Sequence, residues 1–357
     1  MNTGIILRYA LAFLFTASIV NASGGPGSKD SSQGVVLIKN ETEKKVEVTV
    51  NGKLFTIYRW PDNICKPVLY PVFSPSGTEI TRGFPVDPRA GERIDHPHQI
   101  GMWLTYGNVN GLDFWGNGSQ GLGTKNPNGG FIHHVNIEKT ANGKKEGVLI
   151  TNESWQDGNG KELLKEHSEF HFMARNDFWI IDRITTLTAG ESKVEMPDTK
   201  EGMFGIRVAR QLELPARDAG PVLSTELKPV KPDEKAFSEI TGNYLSSEGL
   251  TGEAVWGKRA RWMNLSGIIG KEKLTLSIMD HPSNPNYPTY WHARGYGLFA
   301  ANPLGVKDFT SGKETLNLSV EKGKSIVFRY RFVVGSNLSS GNNEFNKLAD
   351  EFAEMYK

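Results

Sequence analysis

Asp95-His96-Pro97-His98 and, far downstream, Asp280-His281-Pro282 repeat a tripeptide in which an acid precedes an imidazole and a proline. Six of the eight histidines fall in four short clusters: these two, Ile132-His133-His134, and Trp291-His292-Ala293-Arg294. Imidazole gives or takes a proton near neutrality and is the commonest metal ligand. Its concentration beside Asp, Arg and Trp therefore points to a polar site that holds a ligand.

The proline after His96 biases that residue toward extended backbone. His96 and His98 are then expected on the same side, about 7 Å apart at Cα, as two ligands of one metal or two contacts to one substrate. A structural pair bonded to backbone carbonyls is the competing reading. His133 and His134 begin a strand after Asn128-Gly129-Gly130, so only one of them can face the site; His134 is the candidate. In Glu201 to Val208, an extended chain puts Glu201, Met203 and Arg207 on one face, with Phe204, Ile206 and Val208 on the other. Glu201 is a candidate acid/base and Arg207 a candidate grip on substrate oxygens, against the simpler reading of a cross-strand ion pair. Trp291-His292-Ala293-Arg294-Gly295-Tyr296 aligns His292, Arg294 and Tyr296 on one strand face. Rings and a forked cation are how proteins hold sugar faces and carboxylates. Trp103 and Trp115 lie in the glycine- and aromatic-rich run after His98 and join Trp291 as candidate binding platforms. His167 and His171 are roughly 13 Å apart on an extended chain, too far to share an ion without a sharp bend; they read as a solvated strand face.

Positioning these groups falls to β-structure. Two β-rich runs, 45–50 and 53–58, flank Asn51-Gly52, the pair preferred by a type I′ hairpin because both turn residues need positive φ. Further alternating runs occur at 147–151, 166–172, 179–188, 204–208, 274–278 and 326–334. Helical spacing emerges only in 342–356, through Phe345, Leu348, Phe352 and Met355. Many strands without intervening helices imply an all-β fold: a large antiparallel β-sandwich with one C-terminal helix, for which the mutarotase-like supersandwich is a compatible form. Residues 215–243, rich in Pro, Lys, Asp and Glu, read as a long surface loop.

At the N-terminus, Arg8 precedes the apolar run Tyr9 to Val20 and the small-residue pattern Val20-Asn21-Ala22. The run is short of the roughly 20 apolar residues needed to span a bilayer, so 1–22 read as a signal peptide, 23–34 as a disordered lead-in and 35–357 as one β-sandwich domain. The protein is then expected to be periplasmic or secreted, with no membrane span after cleavage. The lone Cys65 excludes an internal disulfide and reads as a small buried apolar residue. Of 41 cations and 40 anions, cleavage removes only Arg8, leaving a balanced chain without a basic run. That gives no electrostatic reason to expect nucleic acid or anionic lipid, whereas a neutral carbohydrate partner is compatible.

Taken together, Lys66-Pro67 with Tyr70-Pro71, Asp95-His96-Pro97-His98, Gly107 to Trp115, Asp198 to Gly202, Trp262-Met263-Asn264, Asp280-His281-Pro282, Trp291 to Gly297 and Ala301-Asn302-Pro303 cover most of the chain. In this order they resemble a family of secreted bacterial proteins labelled methane-oxygenase-like (PmoA-like). The departure from that pattern is Gln99-Ile100, where His-Arg is expected. The resemblance implies association with sugar breakdown.

The expected function is a glycoside hydrolase or carbohydrate lyase, with His96, His98, His134 and His292 around the reacting sugar, Glu201 as acid/base, and Arg207 and Arg294 on substrate oxygens. Two carboxylates flanking a bond favour hydrolysis; an imidazole or phenol base facing a carbon acid favours elimination. The rivals are a non-catalytic glycan-binding module built on Trp103, Trp115 and Trp291, and a sugar epimerase. The motifs fix no cofactor with certainty; His96 and His98 could share a divalent metal, with His134 or His292 as the third ligand.

Overall fold

A computed structural model describes residues 33–117, 128–175, 177–215, 220–233, 237–336 and 342–357. The expected signal peptide and residues 23–32 of the lead-in lie outside the described residues. In chain order the strands are β1 (Val35–Asn40), β2 (Lys45–Val50), β3 (Lys53–Arg59), β4 (Val68–Val72), β5 (Met102–Leu104), β6 (Phe131–Ala141), β7 (Glu146–Gln156), β8 (Glu162–Arg175), β9 (Phe178–Ala189) and β10 (Val194–Met196). There follow β11 (Phe204–Arg207), β12 (Val222–Leu223), β13 (Pro229–Val230), β14 (Asn243–Ser246), β15 (Trp262–Ile269), β16 (Glu272–Asp280), β17 (Tyr290–Ala293), β18 (Leu298–Asn302), β19 (Leu318–Val320) and β20 (Ser325–Ser336).

Two eight-stranded sheets form the body, ordered β1-β2-β3-β4-β5-β11-β18-β17 and β14-β15-β16-β20-β9-β8-β7-β6. Every strand pair in them is antiparallel. The fold is the antiparallel β-sandwich with a C-terminal helix that the pattern of short runs implied. Asn51 (φ 49°) and Gly52 (φ 77°) both occupy the left-handed region, as a two-residue hairpin between β2 and β3 requires.

The core lies between the sheets. Alternate residues of each strand enter it: Val46, Val48 and Val50 from β2, Phe204 and Ile206 from β11, Phe328, Tyr330 and Phe332 from β20. Phe204 stacks on Tyr330 across the interface at 5.0 Å. The C-terminal helix, Asn342–Glu354, covers the outer face of the second sheet, placing Phe345, Leu348 and Phe352 on Ile180, Trp262, Met279 and Val333. Beneath it the fully buried Arg331 donates to Asp182 at 2.7 Å from two nitrogens and to the Leu348 carbonyl at 3.1 Å. His281 belongs to the same device: its Nε2 lies 2.8 Å from the Met355 carbonyl oxygen, and its Nδ1 accepts from Ser283 N. The second Asp-His-Pro tripeptide therefore anchors the helix.

The stretch expected as one long loop, 215–243, contains the small hairpin β12–β13, and Val222 also bridges Arg93. Cys65 is only partly buried rather than a core residue. Among the described residues no helix is long and apolar enough to cross a membrane.

Candidate functional site

The outer face of the first sheet, opposite the core, carries the site. Trp103 on β5 pairs with Gly205 on β11, Gly205 with Ala300 on β18, and Ala300 with His292 on β17. Because side chains alternate across a strand, these four share a face, while Met102, Phe204, Ile206, Phe299, Trp291 and Ala293 point into the core. The two central positions are small for a reason: a Cβ on Gly205 would lie 3.2 Å from the Ala300 Cβ and 3.3 Å from Trp103 Cζ2. Above this low strip Trp115 bridges the row, its ring 5.3 Å from Trp103 and stacked at 6.3 Å on His292.

The loop before β5 brings His96 and His98 onto this floor. His96 is not extended: its φ is 43°. Its ring nonetheless lies 5.7 Å from that of His98 and stacks on Tyr296 at 4.8 Å with 4° between the planes. Asp95 Oδ2 sits 2.8 Å from His96 Nδ1, and Asp95 Oδ1 accepts from Arg82 at 2.9 Å and Arg207 at 2.6 Å. Desolvation alone would raise the Asp95 carboxyl; the His96 hydrogen bond and the Arg207 and Arg82 charges outweigh it and hold the group well below the usual carboxylate range. An ionised carboxylate only accepts, so Nδ1 of His96 carries a proton, and in the neutral tautomer Nε2 is the nitrogen free to accept one.

His98 and His292 behave differently. Burial pushes His98 down to about 2, helped by the Lys66 and His96 charges, and pushes His292 down to about 3. Both are neutral imidazoles across the physiological range. Glu201 approaches His292 Nδ1 to 3.9 Å, longer than a hydrogen bond, so both groups retain capacity for a ligand. Burial raises the Glu201 carboxyl; Lys200 opposes the shift and Asp113 adds to it. The buried Nδ1 atoms of His98 and His292 and the indole nitrogens of Trp103 and Trp115 have no hydrogen-bond partner among the described residues.

Several expected roles change. Trp291 lies in the core with its indole N–H on the Ala260 carbonyl, and cannot serve as a platform. Arg207 is fully buried, spends its terminal nitrogens on Gln99 and Asp95, and lies 4.7 Å under the Tyr296 ring; it supports the site from below. Met203 is in the core, because regular alternation begins only at Phe204, where β11 starts. His134 is held elsewhere, its ring 4.1 Å from that of Trp60 at a tilt of 31° and its Nδ1 3.0 Å from the Tyr58 hydroxyl. Arg294 follows the end of β17, in the turn into β18, with its guanidinium 5.5 Å from the Trp256 ring and 5.8 Å from Tyr296. No carboxylate pairs with it among the described residues.

Lys66 was not singled out by sequence for the site. Its buried amine donates to the His98 carbonyl at 3.0 Å and lies 5.8 Å from the Trp103 ring, and burial lowers it to about 8. Among the described residues no three His, Cys, Asp or Glu side chains are grouped to hold a metal. Asp95, the carboxylate nearest His96, is committed to two arginines, so the donor set does not fit a catalytic divalent ion.

The sequence profile of a family of unknown function, DUF6807, matches residues 45–350. The chain belongs to DUF6807. The methane-oxygenase-like membership expected from the motifs is corrected by this match, which carries no such label. No curated protein matches the DUF6807 chain. Solved structures similar to it include the galactosidase domain of an alpha-galactosidase–sucrose kinase, with 10% identity, 84% of this chain and 42% of that one covered, and a TM-score of 0.40. A GH36 alpha-galactosidase from Geobacillus stearothermophilus matches at 9% identity, 85% and 41% coverage and a TM-score of 0.38. A galactose mutarotase related enzyme from Lactobacillus acidophilus matches at 9% identity, 86% and 98% coverage and a TM-score of 0.28. The DUF6807 chain thus spans about two fifths of the length of the two galactosidase chains it matches.

Proposed function

We propose that this member of DUF6807 is a carbohydrate-active enzyme of the lyase type, working by proton transfer at the His96–Glu201 site. The observation that carries the reading is the Asp95–His96 pair: an imidazole with Nδ1 fixed on an ionised carboxylate, one face laid on Tyr296, and Nε2 left as a base. Arg294 would hold the carboxylate of a uronate unit, raising the acidity of the adjacent C–H. His96 Nε2 would take that proton, and Glu201, whose carboxyl burial raises, would in its acid form deliver one to the departing glycosidic oxygen. The Trp115 and Trp103 rings, expected from sequence as binding platforms, are buried and would support the site from below rather than meet the sugar. Hydrolysis is the second reading: it would need a second carboxylate beside Glu201, and Asp113, whose charge adds to the upward shift of Glu201, is the candidate.

The apolar N-terminal run supports a periplasmic or secreted site of action. The deciding experiment incubates the protein with neutral and uronate-containing oligosaccharides. Ultraviolet-absorbing unsaturated ends report elimination, new reducing ends without unsaturation report hydrolysis, and anomer exchange in proton NMR reports epimerisation.

A further inference from the structure

A second cleft of about 540 Å³ opens between the segment 60–67 and the start of β6. Its walls are rings: Trp60 tilted over His134 at 4.1 Å, and Phe131 stacked on His133 at 6.0 Å. That volume lies within the usual range of small-molecule sites, about 300–1,000 Å³.

The polar groups at this cleft fix what it can take. The Tyr58 hydroxyl donates its only proton to Glu153 Oε1 at 2.6 Å. Its 3.0 Å contact with His134 Nδ1 must therefore run from an imidazole N–H to the phenol oxygen, which in the neutral ring leaves His134 Nε2 as an acceptor. That Nε2 is buried and has no partner among the described residues. A ligand hydroxyl supplies the missing donor. Of the charged residues of the lining, Lys44 pairs with Asp62 and Glu41 with Lys39, while the buried Lys66 amine is bonded to the His98 carbonyl. Stacking rings, an acceptor for a hydroxyl and surface charges paired with one another are the chemistry of an uncharged polyhydroxylated ligand.

We propose that the Trp60–His134 cleft is a second sugar site, specific for neutral saccharide units and separate from the His96 centre. This rests on the carbohydrate reading above. Lys66 stands between the two, lining the cleft and reaching the carbonyl of His98.

Cys65 gives a direct probe, because it is the only cysteine, lines the cleft and is partly accessible. The rate of its alkylation by iodoacetamide is measured on the full chain with and without a panel of neutral oligosaccharides, cellobiose and maltotriose among them. The expected result is a several-fold slowing by at least one sugar, abolished in Trp60→Ala and in Asn63→Trp, a change at the exposed rim that blocks the mouth without touching the core, and retained in His96→Ala. Thermal melts of each variant separate lost binding from lost folding. Absence of protection by every sugar overturns the second site, as does protection lost in His96→Ala but kept in Asn63→Trp. Turnover at the His96 centre is read separately from product formation, so failure of that reading and failure of the cleft are distinguishable.

Discussion

The His96 imidazole lies face to face on the Tyr296 phenol, 4.8 Å between ring centres and 4° between planes, and Tyr296 in turn rests on the Arg207 guanidinium. Arg207 bonds Asp95, and Asp95 bonds His96. The four residues close a ring of contacts that fixes the imidazole in position, tilt and tautomer. The candidate base is thus preorganised by a buried cation that never reaches the substrate.

Breaking that ring at Asp95 leaves Arg207 and Arg82, both almost fully buried, without their shared carboxylate. Asp95→Ala is expected to destabilise the fold by about 3 kcal/mol, read as a lowered urea midpoint. His96→Ala, which removes a partly exposed ring, is expected to leave the midpoint nearly unchanged.

Acid sensitivity follows from the two buried imidazoles. Burial holds His98 at about 2 and His292 at about 3 in the folded protein, whereas the unfolded chain binds these protons near about 6.5. Between those values the unfolded state carries more protons, so stability is full above about 6.5 and falls as pH drops, by up to about 1.4 kcal/mol per pH unit for each group. His292→Gln removes one of the two contributions. The slope of denaturation free energy against pH between 6 and 4 should become shallower in that variant; an unchanged slope would count against a neutral buried His292.

Gly205 tests the floor. A Val side chain there meets Trp103 and Ala300 at distances too short to accept without displacement, costing about 1–3 kcal/mol. Sugar binding measured by tryptophan fluorescence should weaken in Gly205→Val, since Trp103 is pushed toward Trp115.

The helix anchor gives the contrasting case. His281→Ala loses the hydrogen bond to the Met355 carbonyl, the one accepted from Ser283 N and the edge contact with Phe352, about 2 kcal/mol for the two bonds. Amide exchange in residues 342–354 should quicken while turnover stays unchanged, separating the two Asp-His-Pro tripeptides by function.

Much of the fold was legible because local rules and tertiary packing agree: Asn51-Gly52 turns where two positive φ values are needed, and Phe345, Leu348 and Phe352 bury on one helix face. The motifs around His96, His98 and His292 could be read as polar because nothing in a core requires them. What they touch could not. Trp291 was misassigned because its strand phase is set by Ala300 pairing with His292, a contact eight residues away. Arg207 looked available because its partners, Asp95 and Gln99, lie more than a hundred residues earlier. Lys66 stood out only within the Lys66-Pro67 stretch of the family resemblance, with no role attached, since that role comes from its contacts with the His98 carbonyl and the Trp103 ring. His134 sits on a strand of the opposite sheet, and no spacing along the chain shows that.

The most direct test of the His96 centre is the rate of unsaturated-product formation from a uronate-containing oligosaccharide by the parent protein, His96→Ala and Glu201→Gln, compared at equal folded concentration. Loss of about 10²–10⁴-fold in each variant is predicted, the usual contribution of a positioned acid or base. Equal rates in the parent and His96→Ala, or no turnover of any uronate by the parent, would contradict it.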